Sequence, residues 1–192
     1  MTVAPAVPTP FGDHLRLVVE ETSRLLDGVV PGDWENAGAR LRGARSVFAI
    51  GSGRSGLAIR MAAMRLMHLG LRVHVAGEAT APAIGAGDVL VAVSGSGTTS
   101  AVVNAAETAR KVGASVIAVT TAAESLLARE ADDVLLLAGA DKQDHSGSVS
   151  RQYAGSLFEQ AVLLAFDALF EALRSSDGQT PQELWERHAN LG

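Results

Sequence analysis

The chain has 192 residues, 47% of them apolar and 4% aromatic, with no cysteine and a formal charge of −5. That length suits one domain with a full core. The acidic balance tells against a general nucleic-acid binder, and the missing thiols exclude disulfides and thiolate chemistry. No apolar run reaches bilayer-spanning length, and the Pro-rich first ten residues lack the basic start and apolar core of a signal peptide, so a soluble, cytoplasmic protein is expected.

Residues 1–12 read as a loose arm. From Asp13 to Asp27, Leu15, Val18, Val19, Thr22, Leu25 and Leu26 recur at helical spacing. A second helix, Asp33 to Arg42, carries Trp34, Ala37 and Leu41 on one side. These helices, within 13–42, either cover the domain or meet another subunit. Residues 46–137 hold the predicted sheet and its crossovers. Ser46–Ile50 is the first strand, followed by a helix from about Gly56 to Leu69 that Gly70 closes. Leu71–Val75, Val89–Val93, Ala114–Val119 and Asp133–Leu137 are the remaining strands. Helices are predicted over Ala101–Lys111 and from Thr120 to Ala128. The polar stretch 138–150 has no periodicity and is long for an inert connection, which reads as a mobile flap. A long helix from about Gln152 to Leu173 and a short one from Pro181 to Ala189 fill 152–192.

Alternating strands and helices predict a three-layer α-β-α sandwich around a five-stranded parallel sheet of flavodoxin-like order 2-1-3-4-5. In that order ligands bind where strands 1 and 3 part. Those strands end in two loops of the same character, Gly51-Ser-Gly-Arg-Ser-Gly56 and Ser94-Gly-Ser-Gly-Thr-Thr-Ser100. Each opens a helix. Glycines allow close backbone approach, and helix-start N–H groups favour an anion. The bland alternative is a pair of flexible turns whose hydroxyls only cap helices. No Lys follows the glycines, so neither loop is a nucleotide P-loop. The first loop formally matches the dinucleotide fingerprint Gly-x-Gly-x-x-Gly, with Glu78 near the place of its acidic ribose partner. A nicotinamide binder has no need of the second loop, and two converging loops favour a phosphate cradle. Ser52, Gly53, Arg54, Ser55, Ser94, Gly95, Ser96, Thr98 and Thr99 are its candidate residues.

With both loops in view, the chain resembles the sugar isomerase (SIS) domain family, and within it the 6-phospho-3-hexuloisomerases. The carriers are the two loops, Met64-Arg-Leu-Met-His-Leu-Gly70, Val75-Ala-Gly-Glu78 with Pro82, Gly155-Ser-Leu-Phe-Glu159 and Arg187-His-Ala-Asn-Leu191. The resemblance runs from about Asp13 to the C-terminus, so the chain is read as a single SIS domain. It departs at Tyr153-Ala154-Gly155-Ser156, where the family has Pro-Leu-Gly before Thr-Leu-Phe-Glu, and at Gly192, where the family ends in Glu. The resemblance implies interconversion of D-arabino-3-hexulose 6-phosphate and fructose 6-phosphate, a step of formaldehyde fixation by the ribulose monophosphate route. It implies no metal or organic cofactor, a homo-oligomer, typically a tetramer, and functional coupling to a 3-hexulose-6-phosphate synthase. No membrane or nucleic-acid partner is expected. The alternatives are another sugar-phosphate isomerase of the family and a non-catalytic phosphosugar sensor.

Moving a carbonyl from C3 to C2 needs a group that carries a proton between adjacent carbons and donors for the developing enediolate. Glu159 is the candidate base. It shares a helical stripe with Gly155, Leu163, Phe166 and Phe170, where a carboxylate is desolvated. The alternative is an edge Glu paired with an Arg. His188 resembles in place the terminal histidine that shuttles protons in related SIS isomerases, and near the chain end it can serve a neighbouring subunit. The alternative is a surface His at a helix C-terminus. Arg54 is placed to pair with phosphate or a sugar oxygen. Glu78 reads either as a sugar-hydroxyl ligand or second base, or as an ordinary loop acid. His68 reads as structural, His74 as facing solvent or a neighbour, and His145 as part of the flap. No His, Asp or Glu cluster has metal-ligand spacing.

Overall fold

The computed structural model describes residues 10–139 and 149–191. The elements run α1 (Phe11–Asp27), α2 (Pro31–Gly43), β1 (Val47–Gly51), α3 (Gly53–His68), β2 (Val73–Val75), β3 (Val89–Val93), α4 (Ser100–Lys111), β4 (Ser115–Thr120), α5 (Leu126–Arg129), β5 (Asp133–Leu136), α6 (Ser156–Ser176) and α7 (Pro181–Trp185). All five strands are parallel, in the order β2-β1-β3-β4-β5. The central strand β3 is buried along its whole length, as a Val-rich strand covered on both faces must be.

Two apolar clusters line the two faces of the sheet. One gathers Leu25 and Trp34, Ile59 and Ala62 of α3, and Phe158, Phe166 and Leu169 of α6 against Val47, Val91 and Val119. The other packs Val102, Ala106 and Leu127 against Phe48, Leu90 and Ala118. Hence α1, α2, α3 and α6 cover one face, and α4 and α5 the other. Small residues on α3 let α6 pack close beside it. The connection from β2 to β3 holds no helix.

Several boundaries differ from the sequence reading. The first helix starts at Phe11, inside the expected arm. Thr120 ends β4 rather than opening a helix, and α5 is only Leu126–Arg129. The helix expected from Gln152 starts at Ser156, because Ala154 takes a left-handed φ of 51° that breaks the run. The last helix stops at Trp185, so His188 lies beyond it. His145, most of the proposed flap and residues 1–9 of the arm fall outside the described residues.

Candidate active site

The two glycine and hydroxyl loops lie side by side. Gly51 at the end of β1 is in register with Val93 at the end of β3. From there β1 leads into α3 on one face and β3 into α4 on the other, so the chain parts at this point. Glycine is needed at the first turn. A Cβ on Gly56 would sit 2.7 Å from the Gly51 carbonyl oxygen. In the second loop Gly97 has φ +63°, and a Cβ there would overlap the Ser125 side chain.

The second loop is held by its carbonyl oxygens. Gly95 O accepts from the Thr121 N–H at 3.0 Å and from the hydroxyls of Thr120 (3.0 Å) and Thr121 (2.8 Å). Gly97 O accepts from the Leu127 N–H at 2.9 Å. Among the described residues no acceptor meets the N–H groups of Gly95 or Ser96, and α4 begins beside them with the N–H groups of Ser100 and Ala101 also unpaired, while those of Val102 and Val103 donate to Thr99 O. Unpaired N–H groups gathered at a helix start are an arrangement that can accept an anion.

The hydroxyls are not spent on capping. Ser52 and Thr99 occupy the N-cap positions of α3 and α4, yet neither side chain makes the capping bond. Ser94 and Thr99 hydroxyls pair at 2.9 Å, and those of Ser96 and Thr98 at 3.0 Å. Ser55 is only 2% exposed, and its Oγ has no hydrogen-bond partner among the described residues. A buried hydroxyl without a partner at a helix start is a costly arrangement that an incoming acceptor relieves.

Helix α6 delivers its first turn to the same place. The Phe158 ring packs on Gly95, where a Cβ would lie 3.3 Å from it. The next residue, Glu159, is buried and forms an ion pair with Arg54 of α3, whose guanidinium is largely exposed. Glu159 thus lies on the buried apolar stripe, not at the helix edge, and it pairs with an arginine.

Two candidates stand away from this group. Glu78 is half-exposed and pairs with Arg60 on the flank of α3, as an ordinary loop acid does. His188 is at the opposite end of α3. Its ring stacks on His68 (5.2 Å) and on Trp185 (4.9 Å), beside a cavity of about 570 Å³ lined by Met61, Met64, Leu163 and Phe170. The rise from Arg54 to His68 along the helix is about 21 Å. Within one subunit His188 does not meet Glu159. His74, expected to face solvent or a neighbour, is partly buried, its ring tilted at 35° against Phe48 at 5.0 Å and its Nε2 buried.

Sequence reasoning passed over Phe158 and the Thr120-Thr121 pair. The signal for the threonines was there: two hydroxyls at the end of the strand next to the glycine loop.

A model of the SIS domain matches residues 40–165, from the end of α2 through half of α6. The chain belongs to the SIS domain family. Among SIS relatives, the 3-hexulose-6-phosphate isomerase of Mycobacterium gastri is 57% identical over 145 residues, 76% of this chain and 73% of that protein. The 3-hexulose-6-phosphate isomerase of Bacillus subtilis is 38% identical over 146 residues, 76% of this chain and 79% of its own length. A crystal structure from Methanococcus jannaschii, inferred to have a molecular function of 3-hexulose-6-phosphate isomerase, superposes with a TM-score of 0.81 at 27% identity, covering 94% of this chain and 99% of that one. Among the described residues of this SIS protein, no group of three or more His, Asp or Glu is placed to hold a metal ion, and no helix is long and apolar enough to cross a membrane.

Proposed function

We propose that the chain is a 6-phospho-3-hexuloisomerase, interconverting D-arabino-3-hexulose 6-phosphate and fructose 6-phosphate. The observation that carries this is the 57% identity to the Mycobacterium gastri enzyme of that activity. The geometry agrees with it: a buried carboxylate stands at the mouth of an anion cradle.

In this reading the 6-phosphate sits on the N–H groups and hydroxyls of Ser52–Ser55 and Ser94–Thr99, with Arg54 at its edge. Glu159 takes the proton from C2 of the 3-ketose. The electron pair moves into the C2–C3 bond and onto O3, giving an enediolate. Return of the proton at C3, with transfer of the O2 proton to O3, leaves the carbonyl at C2. The substrate is neither oxidised nor reduced overall, so no electron acceptor is called for. His188 acts in this scheme only on a neighbouring subunit's crevice.

The same reading makes the protein a homotetramer in the cytoplasm, working beside a 3-hexulose-6-phosphate synthase in the ribulose monophosphate pathway of formaldehyde assimilation. Exposed Leu57, Met61 and Met64, spaced along one side of α3, support assembly. The test is direct: 3-hexulose 6-phosphate is offered and fructose 6-phosphate measured. Turnover is expected. Binding of the sugar phosphate without turnover would instead favour a sensor.

A further inference from the structure

Glu21 is the one buried carboxylate of α1, 6% exposed on a helix whose other inward residues are Thr22 and Leu25. Its two oxygens accept three hydrogen bonds, all from the stretch that precedes α6. Ser150 donates its hydroxyl at 2.7 Å, Arg151 its backbone N–H at 2.9 Å and Gln152 its side-chain amide at 3.1 Å. The circuit then closes through α6. Gln160 donates to the Gln152 side-chain carbonyl at 2.9 Å, and its own side-chain carbonyl lies 3.1 Å from the Thr22 hydroxyl, which shares its one proton between that oxygen and Val18 O at 2.7 Å. Burial alone would raise the Glu21 pKa. The bonds from Arg151, Ser150 and Gln152, with the charge of Arg24, outweigh burial and leave it below the ordinary carboxylate value.

What this circuit holds is the entry to the proposed site. Directly after Gln152 come exposed Tyr153, Ala154 at φ 51° and Gly155, the N-cap of α6. A non-glycine residue in the left-handed region persists only when its surroundings hold it. Glu21 fixes the chain before Ala154. The Ser156 hydroxyl, donating to Tyr153 O at 2.8 Å, fixes it after. Gln160, the neighbour of Glu159, is itself part of the circuit.

We propose that Glu21 is a positioning residue for the carbonyl migration: it sets the start of α6, and with it the place of the Glu159 carboxylate opposite Arg54. This rests on the isomerase reading above. Glu21 does not touch substrate, since its oxygens are already occupied by donors of its own chain. The cradle loops lie outside the circuit, so Glu21 governs the proton-transfer step and not phosphate capture.

The experiment compares E21Q, E21D and the unsubstituted protein. In E21Q an amide nitrogen faces donors, and the loop stem shifts. A misplacement of the base by about 1 Å costs on the order of 100-fold in rate. E21Q is therefore expected to lose roughly 10- to 100-fold in kcat, while KM and the affinity for inorganic phosphate change less than about twofold. E21D keeps the charge and is expected to recover part of the loss. If E21Q does not fold, T22V reads the same circuit by removing the hydroxyl that meets Gln160 and, within α1, Val18 O, with a smaller drop in kcat at constant KM. A kcat equal to that of the unsubstituted protein in the folded variant, or a rise in KM that matches the fall in kcat, overturns the inference. Lack of turnover in the unsubstituted protein overturns the isomerase reading and this inference with it.

Discussion

Arg54 and Glu159 form an ion pair between the first turns of two neighbouring helices, with the cation facing solvent and the anion buried. Each residue thus limits what the other can do. The carboxylate is shielded from water, while the guanidinium stays largely in solvent.

Removing the carboxylate separates catalysis from capture. E159Q keeps the shape of the side chain and takes away its ability to accept a proton. Turnover is expected to fall by about 100- to 10,000-fold, the usual range for a general base. Calorimetry should show sugar-phosphate affinity within a few-fold of the unsubstituted protein. Full activity in E159Q would remove Glu159 as the base. R54A leaves the buried carboxylate without its donor, so urea unfolding should report a loss of about 1–3 kcal/mol along with a raised KM.

The hydroxyls of the second loop are expected to act on binding. Ser94 and Ser96 pair with Thr99 and Thr98 and make no helix-capping bond. A hydrogen bond to a charged group is worth about 1.5–3 kcal/mol, so the double variant S94A/S96A should raise KM by about tenfold or more while kcat changes little. Unchanged kinetics would contradict the cradle assignment.

Gly56 gives a test whose sign opposes helix propensity. Inside a helix, Gly to Ala normally gains about 0.5–1 kcal/mol. Here the added Cβ meets the Gly51 carbonyl oxygen at 2.7 Å and its carbon at 3.0 Å, backbone atoms that cannot turn aside. G56A should therefore lower the melting temperature and weaken phosphate binding together, because the β1–α3 turn must open. A higher melting temperature would show that the turn yields cheaply.

Acid stability should depend on Asp88. Its carboxylate takes a two-pronged bond from Arg45 (2.9 and 2.8 Å) and a further bond from the Gly85 N–H at 2.8 Å. The Arg45 bond, against the opposing effect of burial and with help from Gly85, the Arg45 charge and Ser46, holds its pKa below the ordinary 3.8. A depressed folded-state pKa stabilises the fold above the unfolded value. That contribution is lost as pH falls from about 3.8 through the lower folded value. Urea midpoints measured between pH 6 and pH 3 should fall less steeply for D88N than for the unsubstituted protein. Equal slopes would refute the assignment.

The docking of the C-terminal segment should weaken in mild acid. His68 is held below its ordinary 6.5 by burial first, then by His188 and Arg65. Its neutral form is therefore the one that fits, and the contribution is full above pH 6.5 and declines below it. Trp185 stacks on His188 and reports the change, since Trp34 is buried in the core. With Trp185 already exposed, its emission intensity should change from pH 7.5 to 5.5 as the stack loosens, and H68N should flatten the titration. An identical change in H68N would assign it to another group.

Strand order and the pairing of the two loops were legible because they depend on local signals: β-branched runs buried on both faces, and glycine with hydroxyls at each strand end. The Arg54–Glu159 pair joins residues 105 positions apart, and the Glu21–Ser150 bond joins residues 129 apart. No local pattern encodes such contacts. The false start of α6 at Gln152 has a similar origin. Apolar spacing runs smoothly through Ala154, and alanine gives no warning of a left-handed backbone. For His188 the chain position was plain, but which end of a 16-residue helix it faces depends on how α7 folds back, through Arg187 bonded to the His68 carbonyl at 3.0 Å.

The two outermost strands of the sheet are also its shortest, three residues in β2 and four in β5, against five or six in β1, β3 and β4. So brief a border offers an adjoining chain almost no ladder on which to add a strand. Copies of this protein are thus steered away from edge-to-edge growth, the route to fibrous aggregates.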